Sequence, residues 1–180
     1  YTTIIDTETV QQNLNHPDWR IIDCRFSLAD TEKGRTAYQA SHLPNAIYAH
    51  LDEDLSATII PGQTGRHPLP TAETAAQTFA DWGIDGRVQV VVYDDNVGQV
   101  ASRLWWMLRW LGHDQVAVMD GGWERWQKEG RTETTEVPTV ASRPFTAQVR
   151  SHTITDVAHV DSVKEDASYR LVDARAAARF

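Results

Sequence analysis

The sequence predicts an α/β protein built around a parallel sheet, and three observations indicate this class. Short, mostly apolar runs alternate with segments of helical periodicity, and the connections between them are brief. Mostly apolar runs are typical of strands buried on both faces, as in parallel sheets that helices cover. Of the 180 residues, 41% are hydrophobic and 23% are charged, close to the average of globular domains.

The first half of the chain contains two predicted strands and one predicted helix. Residues 20–24 suit a buried strand, and residues 46–48 suit a second strand because they follow Pro44-Asn45. A helix is predicted to begin at Thr71 or its neighbour, which can cap it, and to end at Gly83.

The second half continues the alternation of strand and helix. Val88–Tyr93 has the most pronounced strand character in the sequence. A polar turn follows from Asp94, and apolar residues at helical spacing predict a helix over residues 100–111. Residues 115–119 predict another strand, after which Gly121-Gly122 leads into a short helix.

An internal repeat and a change of composition predict the domain organisation. Residues 131–147 hold several threonines and two prolines without a helical period, which predicts a linker after a domain at 1–130. Residues 148–180 repeat the start of the chain at a constant spacing of about 150 residues. The matching pairs are Thr3-Ile4-x-Asp6 with Thr153-Ile154-x-Asp156, and residues 19–25 with 169–175.

We therefore expect a tandem of two like domains, with residues 148–180 as the truncated start of the second. This second copy reaches only its first predicted strand, Arg170–Asp173. Two copies of equal length imply about 120 further residues in the parent protein.

Charge and composition exclude several classes of function. The formal net charge is −8 at pH 7, which argues against nucleic-acid binding because that needs a basic surface. No window reaches the about 18 apolar residues of a membrane span, so no membrane partner is expected. One cysteine excludes a disulfide framework, and His42, His67 and His113 lack metal-ligand spacing. No glycine-rich phosphate loop follows the first strand, which argues against nucleotide binding. Neither a cofactor nor a metal is expected.

Eight motifs spread in order over almost the whole chain carry a more specific signal. They are IIDCR at 21–25, YQASHLPNA at 38–46, HPLP at 67–70, VVYD at 91–94, RLWWMLR at 103–109, LGH at 111–113, DGGW at 120–123 and VDARAAARF at 172–180. This set resembles the tandem-domain sulfurtransferases of the rhodanese family, including the 3-mercaptopyruvate type. The resemblance implies a rhodanese-like parallel sheet with helices on both faces.

The activity that the resemblance implies is sulfur transfer through a cysteine persulfide. The expected partners are small anionic sulfur donors, thiosulfate or 3-mercaptopyruvate, and thiophilic acceptors such as cyanide or a thiol. The reacting thiolate needs a depressed pKa, which backbone N–H groups and a helix N-terminus after a strand supply.

In this chain the nucleophile position, directly after Val88–Tyr93, holds Asp94. A carboxylate cannot carry a sulfane sulfur, so we expect this copy to be inactive and the nucleophile to lie in the missing part of the second copy. Cys24 is not expected to replace it, because a free cysteine at a strand end is usually a buried, inert side chain. A phosphatase-type loop would need arginine at position 30, which is Asp30.

Charged residues at the predicted strand ends are the other candidates. Asp23 and Arg25 recur as Asp173 and Arg175, and we interpret both pairs as orienting the loop through charge-assisted hydrogen bonds. Arg179 matches the arginine that binds the anionic end of the substrate in catalytic domains of the family. It is therefore the expected substrate-binding residue.

Aromatic residues give weaker signals. Trp105, Trp106 and Trp110 are interpreted as core or interface residues, since large rings dominate buried area. Phe26 and the turn over residues 94–100 are expected to line the cleft that faces the second domain.

A second hypothesis comes from another functional class. It is a catalytically silent rhodanese-like module used for binding or regulation, and a cysteine in the second copy of the parent would exclude it. The choice of donor and the oligomeric state stay open. A cytoplasmic location is expected.

Overall fold

A parallel five-stranded sheet forms the centre of the computed structural model, which describes residues 1–174. The strands are β1 (Ile4–Ile5), β2 (Trp19–Asp23), β3 (Ala46–Tyr48), β4 (Gln89–Tyr93) and β5 (Val116–Met119). Their spatial order is β1-β5-β4-β2-β3, and every neighbouring pair is parallel. The prediction of an α/β fold on a parallel sheet is confirmed.

Helices pack on both faces of this sheet. They are α1 (Thr7–Gln12), α2 (Lys33–Ala40), α3 (Ala72–Asp81), α4 (Ala101–Trp110) and α5 (Gly122–Lys128). Two further elements follow later in the chain, a 3-10 turn at Ser151–Thr153 and the helix α6 (Val157–Val163). Thr71 caps α3 by accepting a hydrogen bond from the Thr74 N–H at 3.2 Å, and Gly83 adopts a φ of +69° just beyond its end. The predicted helix start and stop are therefore confirmed.

The central strand β4 explains why its sequence is apolar throughout. All five of its residues are buried. Val90 and Val92 belong to the apolar layer under α3 and α4, whereas Val91 and Tyr93 belong to the layer under α1, α2 and α5. A strand covered on both faces has no solvent side, so its sequence does not alternate.

Residues 131–147, the expected linker, pack within the first of two compact units, which are Tyr1–Val149 and Arg150–Phe180. Arg143 pairs with Asp18 at 2.9 Å, and the Phe145 ring lies 5.4 Å from the ring of Phe79. The first unit thus extends past the boundary at residue 130 that composition predicts. Whether residues 148–180 open a second domain stays a prediction.

The second unit, in its described part, contains the short helix α6. Asp156 caps it by accepting a hydrogen bond from the His159 N–H at 2.7 Å. The strand predicted over residues 170–173 is wrong for this structure, because a strand needs a hydrogen-bonded neighbour and none lies beside it among residues 1–174. Arg175 and Arg179 lie outside the described residues.

Within the described range, none of the helices combines the length and apolarity that a bilayer span requires.

Candidate functional site

The loop that follows β4 wraps its backbone around one buried carboxylate. Asp94 begins this loop and is only 2% exposed. Its two oxygens accept hydrogen bonds from the backbone N–H groups of Asn96 (2.9 Å), Gly98 (2.8 Å), Val100 (2.8 Å) and Ala101 (3.0 Å). Val97 and Gly98 have φ angles of +54° and +83°, which turn successive N–H groups inward. We call residues 94–101 the Asp94 nest.

The Asp94 nest has the electrostatics of an anion site. It lies at the N-terminus of α4, where the helix dipole and unpaired N–H groups favour negative charge. Its anion is the side chain of Asp94 itself, so the position predicted for a nucleophile holds a fully hydrogen-bonded carboxylate. That this position corresponds to a nucleophile stays a prediction.

The start of α5 fixes the other side of this loop. The backbone N–H of Trp123 donates to the Asp94 carbonyl at 2.9 Å. A Cβ added to Gly122 would lie 2.3 Å from the same carbonyl oxygen, so only glycine fits there. Gly122 and Trp123 of the DGGW motif therefore fix the Asp94 backbone at the start of the nest.

A buried ion pair lies beside the nest, at the carboxyl end of β2. The guanidinium of Arg25 donates to both oxygens of Asp23, with the Nε–Oδ1 distance at 3.1 Å and the Nη2–Oδ2 distance at 2.7 Å, and also to the Ser41 carbonyl. The Tyr93 hydroxyl donates to Asp23 at 2.7 Å, and the guanidinium lies 4.3 Å from the ring centroid of Trp123.

Burial raises the pKa of Asp23, although the hydrogen bonds from Arg25 act in the opposite direction. Removing the guanidinium would therefore leave a poorly solvated carboxylate. The geometry is the one expected for a pair that orients the loop, but this role of Asp23 and Arg25 stays a prediction. Asp173 lies in an exposed, irregular segment, and its proposed partner Arg175 is not described.

Cys24 is fully buried between these groups, as predicted. Burial raises the pKa of its thiol well above the usual range, because an apolar interior disfavours the thiolate. A neutral, inaccessible thiol is a poor nucleophile.

A cavity of about 580 Å³ opens between the Asp94 nest and the loop after β2. Phe26, Leu51 and Val100 give it apolar walls, and Lys33, His67 and Asn96 give it polar ones. A second cavity of about 560 Å³ shares Phe26 and His67 and adds Arg66 and Ile59. Phe26, Asp95, Asn96, Gln99 and Val100 thus line one cavity together, and their facing a second domain stays a prediction.

His67 and Asp52 form a carboxylate–imidazole pair on the wall of these cavities. The Nε2 atom of His67 lies 3.1 Å from an oxygen of Asp52. Burial lowers the pKa of His67, although the carboxylate of Asp52 acts in the opposite direction. The amino-acid sequence does not predict this pair, because the two residues are joined by an irregular segment in which spacing carries no signal.

Comparison with known proteins decides the family. The family model of the rhodanese-like domain matches residues 6–129. This chain belongs to the rhodanese family.

Two relatives of the rhodanese-like chain are named as sulfurtransferases. The probable 3-mercaptopyruvate sulfurtransferase of Pseudomonas aeruginosa is 37% identical over 178 residues, which cover 98% of this chain and 63% of the relative. Thiosulfate/3-mercaptopyruvate sulfurtransferase 1, mitochondrial, of Arabidopsis thaliana is 31% identical, covering 98% of this chain and 52% of the relative. The chain therefore spans between about half and two thirds of these proteins.

Solved structures agree with this assignment. SseA from Escherichia coli, described among the 3-mercaptopyruvate sulfotransferases, superposes with a TM-score of 0.88 at 26% identity, covering 99% of this chain and 68% of SseA. The 3-mercaptopyruvate sulfurtransferase from Leishmania major gives a TM-score of 0.71 at 33% identity, covering 83% of this chain and 42% of that one. The expected resemblance is confirmed.

One cluster in the rhodanese-like domain has the composition of a metal site. Ligand atoms of Glu32, His50 and Glu53 lie within 4.8 Å of one another. However, Arg35 pairs with both carboxylates, and His50 faces the Thr31 carbonyl through Nε2 at 3.0 Å while its Nδ1 accepts backbone N–H groups. Both ring nitrogens are thus engaged, and these contacts account for the cluster without a metal.

The tryptophans of α4 serve packing. Trp110 is buried in the core and stacks on Trp106, with 5.8 Å between ring centroids. Trp105 is half-buried and donates from its indole nitrogen to the Thr2 carbonyl at 3.0 Å. The core interpretation is confirmed for Trp110, and Trp105 contacts the N-terminal segment.

Proposed function

We propose that the protein containing this chain transfers a sulfane sulfur from thiosulfate or 3-mercaptopyruvate to cyanide or a thiol. The observation that carries the proposal is the Asp94 nest, in which four backbone N–H groups surround a buried anion after the central strand. The names of the relatives support the same activity.

The reaction divides into two transfers. A thiolate attacks the outer sulfur of thiosulfate, the S–S bond breaks, and sulfite leaves while a persulfide forms. Cyanide then attacks the outer sulfur of the persulfide, thiocyanate leaves, and the thiolate is restored. A nest of N–H groups favours this chemistry because it stabilises the anionic form of the sulfur in both steps.

The rhodanese-like domain described here is proposed to be the silent copy. Its nest already holds the Asp94 carboxylate, which contains no sulfur atom and therefore cannot form a persulfide. We propose that the nucleophilic cysteine lies in the second copy of the parent protein, outside this chain, and that Arg179 binds the anionic end of the donor there. Asp173 and Arg175 are proposed to repeat the loop-orienting pair of Asp23 and Arg25.

The test compares the 180-residue chain with the full-length parent. Each protein is incubated with thiosulfate and cyanide, and thiocyanate is measured. The parent should turn over, and the chain should not exceed the buffer rate. Turnover by the chain that Cys24→Ser abolishes would contradict the proposal.

A silent binding or regulatory module is the second candidate function. The observation in its favour is that the Asp94 nest is complete without a substrate. The residue that follows the central strand of the parent's second copy separates the two candidates, because only a cysteine there supports a persulfide. The cytoplasmic location stays a prediction.

A further inference from the structure

Arg103, on the first turn of α4, directs its guanidinium at backbone carbonyls. Its guanidinium donates to the carbonyl oxygens of Leu55 (2.8 Å), His67 (3.1 Å) and Pro68 (3.3 Å), and Nε donates again to Leu55 at 3.1 Å. Among residues 1–174 no carboxylate pairs with it. Burial lowers the pKa of this guanidinium. Backbone carbonyls accept its hydrogen bonds in place of a carboxylate.

These carbonyls belong to the two ends of one loop. Residues 56–67 leave the core after Leu55 and return at Pro68, where the Ala57 N–H donates to the Pro68 carbonyl at 2.9 Å. The loop lines the second cavity with Ile59 and Arg66, and its last residue is His67. Arg103 therefore bridges the base of the loop that carries the imidazole.

The same helix also closes the Asp94 nest. Ala101 donates its N–H to Asp94, and Arg103 follows two residues later on the first turn of α4. One rigid helix thus sets the position of the nest and of the His67 loop, which together border the first cavity.

We propose that Arg103 is a positioning residue that fixes the loop over residues 56–67, so that His67 stays paired with Asp52 on the cavity wall. This positioning role is independent of turnover, because it concerns the structure of the domain that is proposed to be the silent copy. The Nη2 atom of Arg103 contacts all three carbonyls, and Nε donates a second time to Leu55. Lysine has one nitrogen on a flexible stem, so Arg103→Lys loses the second bond to Leu55 and the fixed planar geometry.

The first test uses trypsin, which cleaves after Arg66 at the end of this loop. Arg103→Lys should increase the rate of cleavage between Arg66 and His67 about tenfold, since loosening the base exposes the loop by local opening. The matched control is Arg109→Lys on the same helix, whose guanidinium contacts Thr2 and Asp114 instead. The control should cleave at the rate of the unaltered chain, and urea unfolding should show both variants folded.

The second test follows the imidazole of His67 by NMR, assigned through His67→Gln. Lysine keeps the positive charge at position 103, so a change in titration reports a change of position and not of charge. Burial and the positive charges of Arg103 and Arg66 lower the pKa of His67, whereas Asp52 raises it. In Arg103→Lys this pKa should rise towards its ordinary value, because the loosened loop loses burial and moves away from the charge at position 103. Arg109→Lys should leave this titration unchanged.

Unchanged cleavage and unchanged titration in Arg103→Lys would overturn the proposal. If the variant does not fold, hydrogen exchange in the unaltered chain decides. The Ala57 amide at the clamped base should then be protected like the α4 amides, and rapid exchange would overturn the proposal. A parent protein without turnover would refute the proposed function and leave these measurements intact.

Discussion

Residues 19–23 form a buried strand between two parallel neighbours, whereas residues 169–173 have a closely similar sequence and are exposed. Ile21 and Ile22 are 2% and 0% exposed, but Leu171 and Val172 are 60% and 85% exposed. The helices before them are alike, since Asp6 caps α1 through the Thr9 N–H as Asp156 caps α6. A helix cap is a local hydrogen bond, while a strand exists only with its neighbours.

The largest expected difference between the two segments concerns their acidic residues. Asp23→Ala should destabilise the chain by about 3–5 kcal/mol, because it leaves the buried guanidinium of Arg25 without a carboxylate to balance its charge. Asp173→Ala is the matched control and should change the free energy of unfolding by less than about 0.5 kcal/mol, as exposed substitutions do. Urea denaturation of both variants measures this, and equal effects would contradict the comparison.

Apolar side chains should show the same contrast with a somewhat smaller effect. Ile22→Ala should cost about 2–5 kcal/mol because the cavity that it leaves lies in a packed core. Val172→Ala should be nearly neutral. Thermal unfolding of the two variants at equal pH is the measurement, and a large loss for Val172→Ala would show that residues 169–173 are buried in solution.

A third prediction concerns the Asp94 nest. Asp94→Cys should lower stability by about 1–3 kcal/mol, because one sulfur cannot satisfy four donors. The introduced thiol should nevertheless have a pKa below the free value of about 8.5, since the nest favours its anion. The pH dependence of alkylation by iodoacetamide measures this pKa, with Asp94→Ser as the control for labelling of Cys24. A pKa above the free value would show that the nest does not stabilise a thiolate.

The smallest effect is expected at the helix caps, where both segments should respond alike. Asp6→Ala and Asp156→Ala should each accelerate hydrogen exchange at the amide that the carboxylate caps, Thr9 or His159. The hydrogen bonds from Thr9 also lower the pKa of Asp6 below its ordinary value of 3.8. The cap of α1 should thus be intact above pH 3.8 and be lost as the pH falls through this depressed pKa. Exchange that is unchanged in either variant would contradict the shared cap.

Features with a local cause were predictable from the sequence. Thr71 and Gly83 bound α3 as expected, and the apolar run of β4 marks the strand that is buried on both faces. The sequence also predicts that Asp94 directly follows β4, because an apolar strand, a polar turn and a helix succeed one another there.

Features that depend on distant partners were not predictable. The helix α2 has no side-chain cap and contains Gly34, so its sequence lacks a start signal. His67 meets Asp52 through an irregular loop held by Arg103, and no periodicity reports that contact. The prediction of a strand at residues 170–173 is wrong for the same reason. A strand needs a hydrogen-bonded neighbour, and the apolar pattern of the sequence does not report whether one is present.

The carboxylate inside the Asp94 nest is tethered to the loop that it organises. A dissolved anion fills a site only when its concentration approaches the dissociation constant, but a tethered group acts at an effective concentration on the order of millimolar or more. The loop after β4 therefore needs no solute to take its shape, and sulfate or phosphate must compete with an anion that cannot diffuse away. The Asp94 nest therefore behaves as a permanently liganded anion site.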